Sequence, residues 1–405
     1  MEDQHSVRGL PENWQVKPLS AFNARRPVTI NPASSAEETF EYYSIPAYQD
    51  DQRPTLAKGN KIGSSKLLLD SGTVLFGKLN PRVEKVWRVG NYSPHRKIGS
   101  TEWLPLVPSN DVDEQFLYFL LWSEHVMAKA KTLVSGSTPS RQRVDPRSFY
   151  RIEAPLPPLR EQQKIAGVLG LVRRAIEQQE RLIALTTELK KALLHQLFTQ
   201  GLHGEPQKQT EIGPVPQSWE VRAIGDLFRF SSGKSRPKDT EATASSSKPF
   251  PVFGGNGILG YSGSYLYERP LLLLGRVGEY CGCAHHTEGR AWVSDNALYA
   301  KEILGDIDTL YAVEYLAYAN LNQYSNRAGQ PLITQGIISE VKMPLPPLDQ
   351  QREILEPLQL LNRKLTNYRA KSEALTALFR TLLHQLMTAQ IRVHDLELSE
   401  LEIAQ

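Results

Sequence analysis

The stretch PLPPLREQQKI at residues 155–165 returns as PLPPLDQQREI at 344–354, an interval of 189 residues from Pro155 to Pro344. At the same interval KALLHQLFT (191–199) returns as RTLLHQLMT (380–388), so the blocks bounded by these marks have equal length. A third correspondence lies upstream: LPENWQVKPLSAF at 10–22 resembles VPQSWEVRAIGDLF at 215–228, with Trp14 and Trp219 lying 205 residues apart. The difference between the two intervals makes the first variable segment 16 residues longer than the second. A repeat of this kind restricts the fold more than local propensity does, because a chain built twice must bury the same faces twice. The order is variable, constant, variable, constant, and the fixed length of the constant parts implies that length itself matters there.

The constant parts read as long helices. In the second, Ile354, Leu358, Leu361, Leu365, Tyr368, Ser372, Leu375, Phe379, Leu382 and Leu386 advance by alternating steps of four and three, the seam of a coiled coil. The positions 189 earlier are Ile165, Leu169, Val172, Ile176, Gln179, Ile183, Thr186, Lys190, Leu193 and Leu197. Polar Gln179, Thr186 and Lys190 interrupt that stripe, so the pattern predicts a drift toward Leu182 and Leu189 in mid-helix. Proline fixes φ, fits the first helical turn and bars helix from the residue before it, so PLPP predicts an extended entry ending where the helix begins. Two such stripes predict an intramolecular antiparallel pair of helices, each of roughly 40 residues and about 60 Å, with docking of each helix on a partner as the other reading. The predicted class is α+β: two globular α/β domains (1–154 and 203–343) separated by two long antiparallel helices (155–202 and 344–390) that form an intramolecular coiled coil. The whole is a pseudo-twofold repeat ending in an acidic tail at 391–405.

At 405 residues the chain is longer than one core usually supports, which agrees with more than one domain. The opening MEDQHSVRGL lacks the charged-then-apolar pattern of a signal and no window is apolar enough to span a membrane, so a cytoplasmic protein without membrane contact is expected. The only cysteines, Cys281 and Cys283, are too close for a disulfide framework. With His285 and His286 they form CGCAHH, but zinc sites draw paired ligands from two separated segments, so the stretch reads as a small-residue turn and no metal is expected. Net charge is only +3, yet residues 78–97 carry Lys78, Arg82, Lys85, Arg88, Arg96 and Lys97 against Glu84 alone. Local anion-binding surfaces are thus compatible with a nearly neutral protein.

Catalytic motifs start and break off. FGGNG at 253–257 fits the glycine loop of S-adenosylmethionine enzymes, but no Asn or Asp followed by Pro-Pro and an aromatic accompanies it. GKS at 233–235 resembles the end of a phosphate loop, yet the earlier glycine falls on Phe228. No catalytic residue is assigned. What remains is a binding vocabulary, since Arg, Lys, Asn and Gln suit phosphates and base edges and glycine admits close backbone approach. The first variable segment offers Lys78, Asn80, Arg82 and Lys85, then Arg141, Gln142 and Arg143 in a loop-rich stretch. The second offers Lys234, Arg236 and Lys238 in SSGKSRPK, then Asn256 and Arg276, and finally Arg327 and Gln330.

Taken together, the duplicated PLPPL-x-x-Q starts, LLHQL ends and P-x-x-W openings, with phrases such as GKSRPK and PVFGGNGILGY, resemble the specificity subunit of a type I restriction-modification enzyme over nearly the whole chain. The resemblance implies a non-catalytic protein whose two variable segments are target-recognition domains, each reading one half of an asymmetric, bipartite double-stranded DNA site. It further implies that the helices fix the gap between halves and dock two modification (methyltransferase) subunits and, through them, the restriction (translocase and endonuclease) subunits. On this reading the chain binds no cofactor itself, and S-adenosylmethionine, ATP and Mg belong to those partners. Two other classes stay open from the residues: a stand-alone methyltransferase, which would bind S-adenosylmethionine alone, and a coiled-coil adaptor recruited through PLPPL, which would show no DNA selectivity.

Overall fold

The computed structural model describes residues 10–202, 204–326 and 331–395. They form two compact units, one made of the residues up to Gln179 with those from Lys371 onward, the other of Glu180–Ala370. Each unit therefore holds one variable segment, the start of one long helix and the end of the other. The long helices are Leu159–Gln200, of 42 residues, and Leu348–Met387, of 40. No helix among the described residues is long and apolar enough to cross a membrane.

The prolines act as the sequence implies. Pro155 and Leu156 close the strand Glu153–Leu156, Pro344 and Leu345 close Lys342–Leu345, and each helix starts directly after the following Pro-Pro. Those strands pair antiparallel with the strands that follow the two tryptophans, and the register is the same: Gln15 opposes Leu156 and Glu220 opposes Leu345. Trp14 Nε1 donates to Glu161 at 3.0 Å, and Trp219 Nε1 donates to Gln350 at 2.8 Å.

The glutamine that follows each PLPPL is a clamp. Gln162 is fully buried; its amide nitrogen donates to the carbonyls of Asp111 (2.9 Å) and Pro157 (2.8 Å), and its oxygen accepts from Asp113 N (2.9 Å). Gln351 repeats the pattern with Asp306 (3.1 Å), Pro346 (2.9 Å) and Asp308 N (2.8 Å). Asp113 and Asp308 are the N-caps of two short helices, Glu114–Trp122 and Thr309–Tyr318, which brace each domain against the long helices. A buried glutamine with its donors and acceptor all paired is stable only in one orientation, so the clamp sets how the domain meets the helix.

Beyond the brace, the described residues of the first unit carry two sheets of three or more strands. One is five-stranded, in the order Val28–Ile30, Lys66–Leu69, Arg96–Gly99, Thr39–Tyr43, Thr55–Lys58; the other is Val86–Arg88, Val74–Gly77, Trp103–Leu106. The second unit has a four-stranded antiparallel sheet (Phe228–Ser232, Ala297–Ile303, Leu272–Gly275, Ala284–His286) and a three-stranded one (Gly257–Ser262, Phe250–Gly254, Trp292–Val293).

Within the first unit Ile165 and Leu169 share a core with Leu383 and Leu386; within the second Leu197 and Phe198 share one with Leu355 and Leu358. The start of one helix thus runs against the end of the other in both units. Of the seam positions, Ile165, Leu169, Ile176, Leu197, Ile354, Leu358, Leu361, Leu365 and Leu386 are buried, and Val172, Leu193, Leu375, Phe379 and Leu382 are half-buried. The expected drift of the first stripe does not occur. Leu182 and Leu189 are exposed, whereas Gln179 and Thr186 are buried and Lys190 is half-buried. The lysine stays in the seam because its ammonium finds Glu314 at 2.9 Å and Asn362 at 2.7 Å, which removes the cost that would have driven the stripe sideways.

The first residues of the segment read as an acidic tail, 391–405, pack against the first unit. Val393 is buried in the first unit's core, and Arg392 forks onto Glu161 at 2.8 and 3.0 Å while lying over the Trp14 ring. Residues 396–405 lie outside the described residues.

Candidate nucleic-acid interface

Two of the cation-bearing loops sit at the same place in the two domains. In the first, the strand Val74–Gly77 runs into Lys78, Leu79 and Asn80; in the second, the strand Leu272–Gly275 runs into Arg276, Val277 and Gly278. Gly77 N bonds Lys85 O and Gly275 N bonds Cys283 O, each at 2.8 Å. Lys78 N bonds Glu102 O at 3.0 Å, and Arg276 N bonds Asn296 O at 2.9 Å. Asn80 and Gly278 both adopt positive φ, +48° and +83°, the left-handed turn that Asn and Gly tolerate.

A second segment docks on each loop through the same ladder. Asn80 N bonds Gln142 O at 2.8 Å and Val144 N bonds Lys78 O at 3.0 Å; Gly278 N bonds Pro331 O at 2.8 Å and Ile333 N bonds Arg276 O at 3.0 Å. Two stretches that the sequence leaves far apart, Lys78–Arg82 and Arg141–Arg143, therefore form one surface.

The charges in that surface differ in availability. Arg82 and Arg141 are exposed, and no ion pair forms at either side chain among the described residues. Lys78 is half-buried, and Gln142 Nε2 donates to Gly136 O at 3.3 Å. Arg143 forks onto Glu102, with Nε 3.0 Å from Oε2 and a terminal nitrogen 3.0 Å from Oε1. The hydrogen bond and charge of Glu102 raise the Arg143 pKa, so this cation reaches an anion already half-neutralised. Lys85 is a correction. It is buried, and its ammonium is spent on the carbonyls of Leu79 (3.1 Å), Asn80 (3.3 Å) and Val83. Burial lowers its pKa below the ordinary lysine value. Lys85 therefore holds the 79–83 loop in shape from inside and offers nothing to a ligand.

In the second domain Lys234, Arg236 and Lys238 are exposed, and Lys234 N bonds Val293 O at 3.0 Å. Arg276 is half-buried with a terminal nitrogen 3.3 Å from Ser232 Oγ. Asn256 is exposed in the turn of the hairpin Phe250–Gly254 and Gly257–Ser262. The FGGNG stretch is thus a hairpin turn. A side chain on Gly275 would come within 2.3 Å of Gly255 O, so glycine there lets the hairpin press against the Arg276 loop. Arg327 and Gln330 lie outside the described residues. Of CGCAHH, Cys281 is buried beside Asn322, His285 and His286 sit in the strand Ala284–His286, and burial lowers both histidine pKa values. Among the described residues no group of His, Cys, Asp and Glu is placed to hold a metal ion.

Two like domains, each offering a cation-bearing turn at the end of an interior strand of its sheet, define a tandem binding protein. The family model for the type I restriction modification DNA specificity domain matches twice, at residues 11–187 and 216–377, and the chain belongs to that family. It is 24% identical to the type I restriction enzyme MjaVIII specificity subunit of Methanocaldococcus jannaschii over 98% of this chain and 96% of that protein. It is 26% identical to the EcoprrI specificity subunit of Escherichia coli, covering 88% and 90%. The solved S subunit of the M. genitalium type I system has the same fold, with a TM-score of 0.65 at 16% identity over 94% of this chain and 98% of that one. A chain from a structure concerned with complex assembly and conformational transition of the type I R-M system gives 0.55 at 19% identity, covering 94% and 99%.

Proposed function

We propose that this chain is the sequence-specific DNA-recognition subunit of a type I restriction-modification enzyme, non-catalytic in itself. Each domain reads one half of an asymmetric bipartite site, and the long helices set the gap and dock the modification subunits. The observation that carries this reading is the twofold family match, lying over two domains that present the Lys78 and Arg276 loops in the same backbone frame. Symmetric readers favour palindromes; two different readers in one chain escape them. Methyl transfer, ATP-driven translocation and cleavage, with S-adenosylmethionine, ATP and Mg, fall to partner subunits.

The candidate contact residues divide by role. Exposed Arg82, Arg141, Lys234, Arg236 and Lys238 suit phosphates, which fix orientation without reading sequence. Lys78, Arg276, Asn256 and Gln142 sit in rigid turns, where a base edge can be read with a defined donor geometry. Single-molecule sequencing of DNA methylated by the chain with its modification subunits tests the proposal. The expected product is methylated adenine in a motif of two fixed halves around an unspecified gap. Methylation that does not depend on this chain, or a palindromic motif, contradicts it.

A further inference from the structure

At one place the two repeats carry opposite chemistry. In the second unit Lys190, Glu314 and Asn362 close a triangle: Lys190 Nζ lies 2.9 Å from Glu314 Oε2 and 2.7 Å from Asn362 Oδ1, and Asn362 Nδ2 donates to Glu314 Oε1 at 2.6 Å. The Glu314 and Lys190 side chains are only 12% and 21% exposed. The repeat places Phe379 where Lys190 stands, 189 residues on. It places Phe119 where Glu314 stands, since each lies six residues past its N-cap aspartate, Asp113 or Asp308. In the first unit those two rings pack at a tilt of 60° with centroids 5.9 Å apart.

The helix ends that carry Lys190 and Phe379 are otherwise alike, because LLHQL begins three residues after each. The end of either long helix therefore offers nearly the same apolar surface to either domain. A second copy of the chain could supply the wrong end: Phe119 would then meet Lys190, and Glu314 would meet Phe379. A ring face returns part of what the lysine loses and the carboxylate keeps only its Asn362 donor, so the mismatch leaves charge without its counter-charge in both places.

We propose that the ionic triangle and the aromatic pair are a matching rule that keeps like helices of two copies from pairing, so that each domain accepts only its own helix end. Buried polar contacts that cost stability yet fix pairing are the best-attested use of such groups. The inference rests on the fold and is independent of what the domains bind.

The test uses full-length chains carrying two distinguishable tags, co-expressed, with mixed-tag particles captured and sized by light scattering. Lys190→Phe with Glu314→Phe gives both units the aromatic chemistry, and Phe119→Glu with Phe379→Lys gives both the ionic chemistry. Either graft is expected to raise two-chain association more than about a hundredfold, the factor that one stranded buried charge represents. Making both exchanges together transposes the rule and is expected to return association to the wild-type level. Folded grafts that stay as monomeric as wild type overturn the proposal, as does a four-site variant that pairs as strongly as the grafts. If one graft does not melt cooperatively, the other decides, and Lys190→Met with Glu314→Leu supplies a third comparison without added aromatic bulk.

Discussion

Replacing the buried clamp glutamines tests how the domains are held. Gln162→Ala removes two donations and one acceptance, leaving the carbonyls of Asp111 and Pro157 and the amide of Asp113 without their partner. Each buried polar group left unpaired costs about 1–3 kcal/mol; with partial entry of water into the space, the sum is roughly 3–6 kcal/mol. At about 2–4 °C per kcal/mol for units of this size, the melting transition of the first unit should fall by roughly 6–24 °C. Gln351→Ala should cost the second unit a similar amount, because its three bonds reproduce the geometry to within a few tenths of an ångström. Hydrogen exchange read by mass spectrometry separates the units. Protection should be lost first in Glu114–Trp122 for one variant and in Thr309–Tyr318 for the other. A loss below about 1 kcal/mol, or protection lost equally in both braces, refutes the clamp.

Glu102→Gln releases Arg143 from its carboxylate, so binding to the first half-site should tighten at low salt and the salt slope steepen by about 0.9 for one added phosphate contact; an unchanged slope means Arg143 does not face DNA. Arg276→Ala and Lys78→Ala should each relax base preference in one half-site only, measured by methylation of randomised sites, at a cost of about 1–3 kcal/mol per base contact. Lys85→Met should raise hydrogen exchange in residues 79–83 and weaken the first half-site while leaving the salt slope unchanged, since the ammonium is already internally bonded; a slope reduced by about one would place Lys85 on phosphate after all.

Much of this architecture is written in the chain. PLPPL, LLHQL and P-x-x-W repeat at fixed intervals because they build one junction twice, down to the register of the strand pairs and the indole bonds to Glu161 and Gln350. The role of the clamp glutamines was harder to read, since their partners lie about 50 residues upstream; the signal was present as DVD at 111–113 and DID at 306–308. The equivalence of GKLN and GRVG was hidden because Lys78 and Arg276 stand 198 residues apart, an interval that insertions make different from either repeat offset. Lys85 misled because charge says nothing about burial, and its neighbours supply carbonyls at the right distance. The seam misled for the opposite reason: Lys190 is tolerated through Glu314 and Asn362, and the position of Glu314 on the bracing helix is one that no periodicity along the long helix reveals.

In the proposed function two separate readers are spaced by two helices of fixed length. Inserting one heptad into each long helix, at equivalent points 189 residues apart, adds about 10.5 Å of rise. Methylation mapping of the lengthened chain with its modification subunits should return both half-sites unchanged and a gap longer by about three base pairs at 3.4 Å each. A changed half-site, or a gap that does not move, would contradict it.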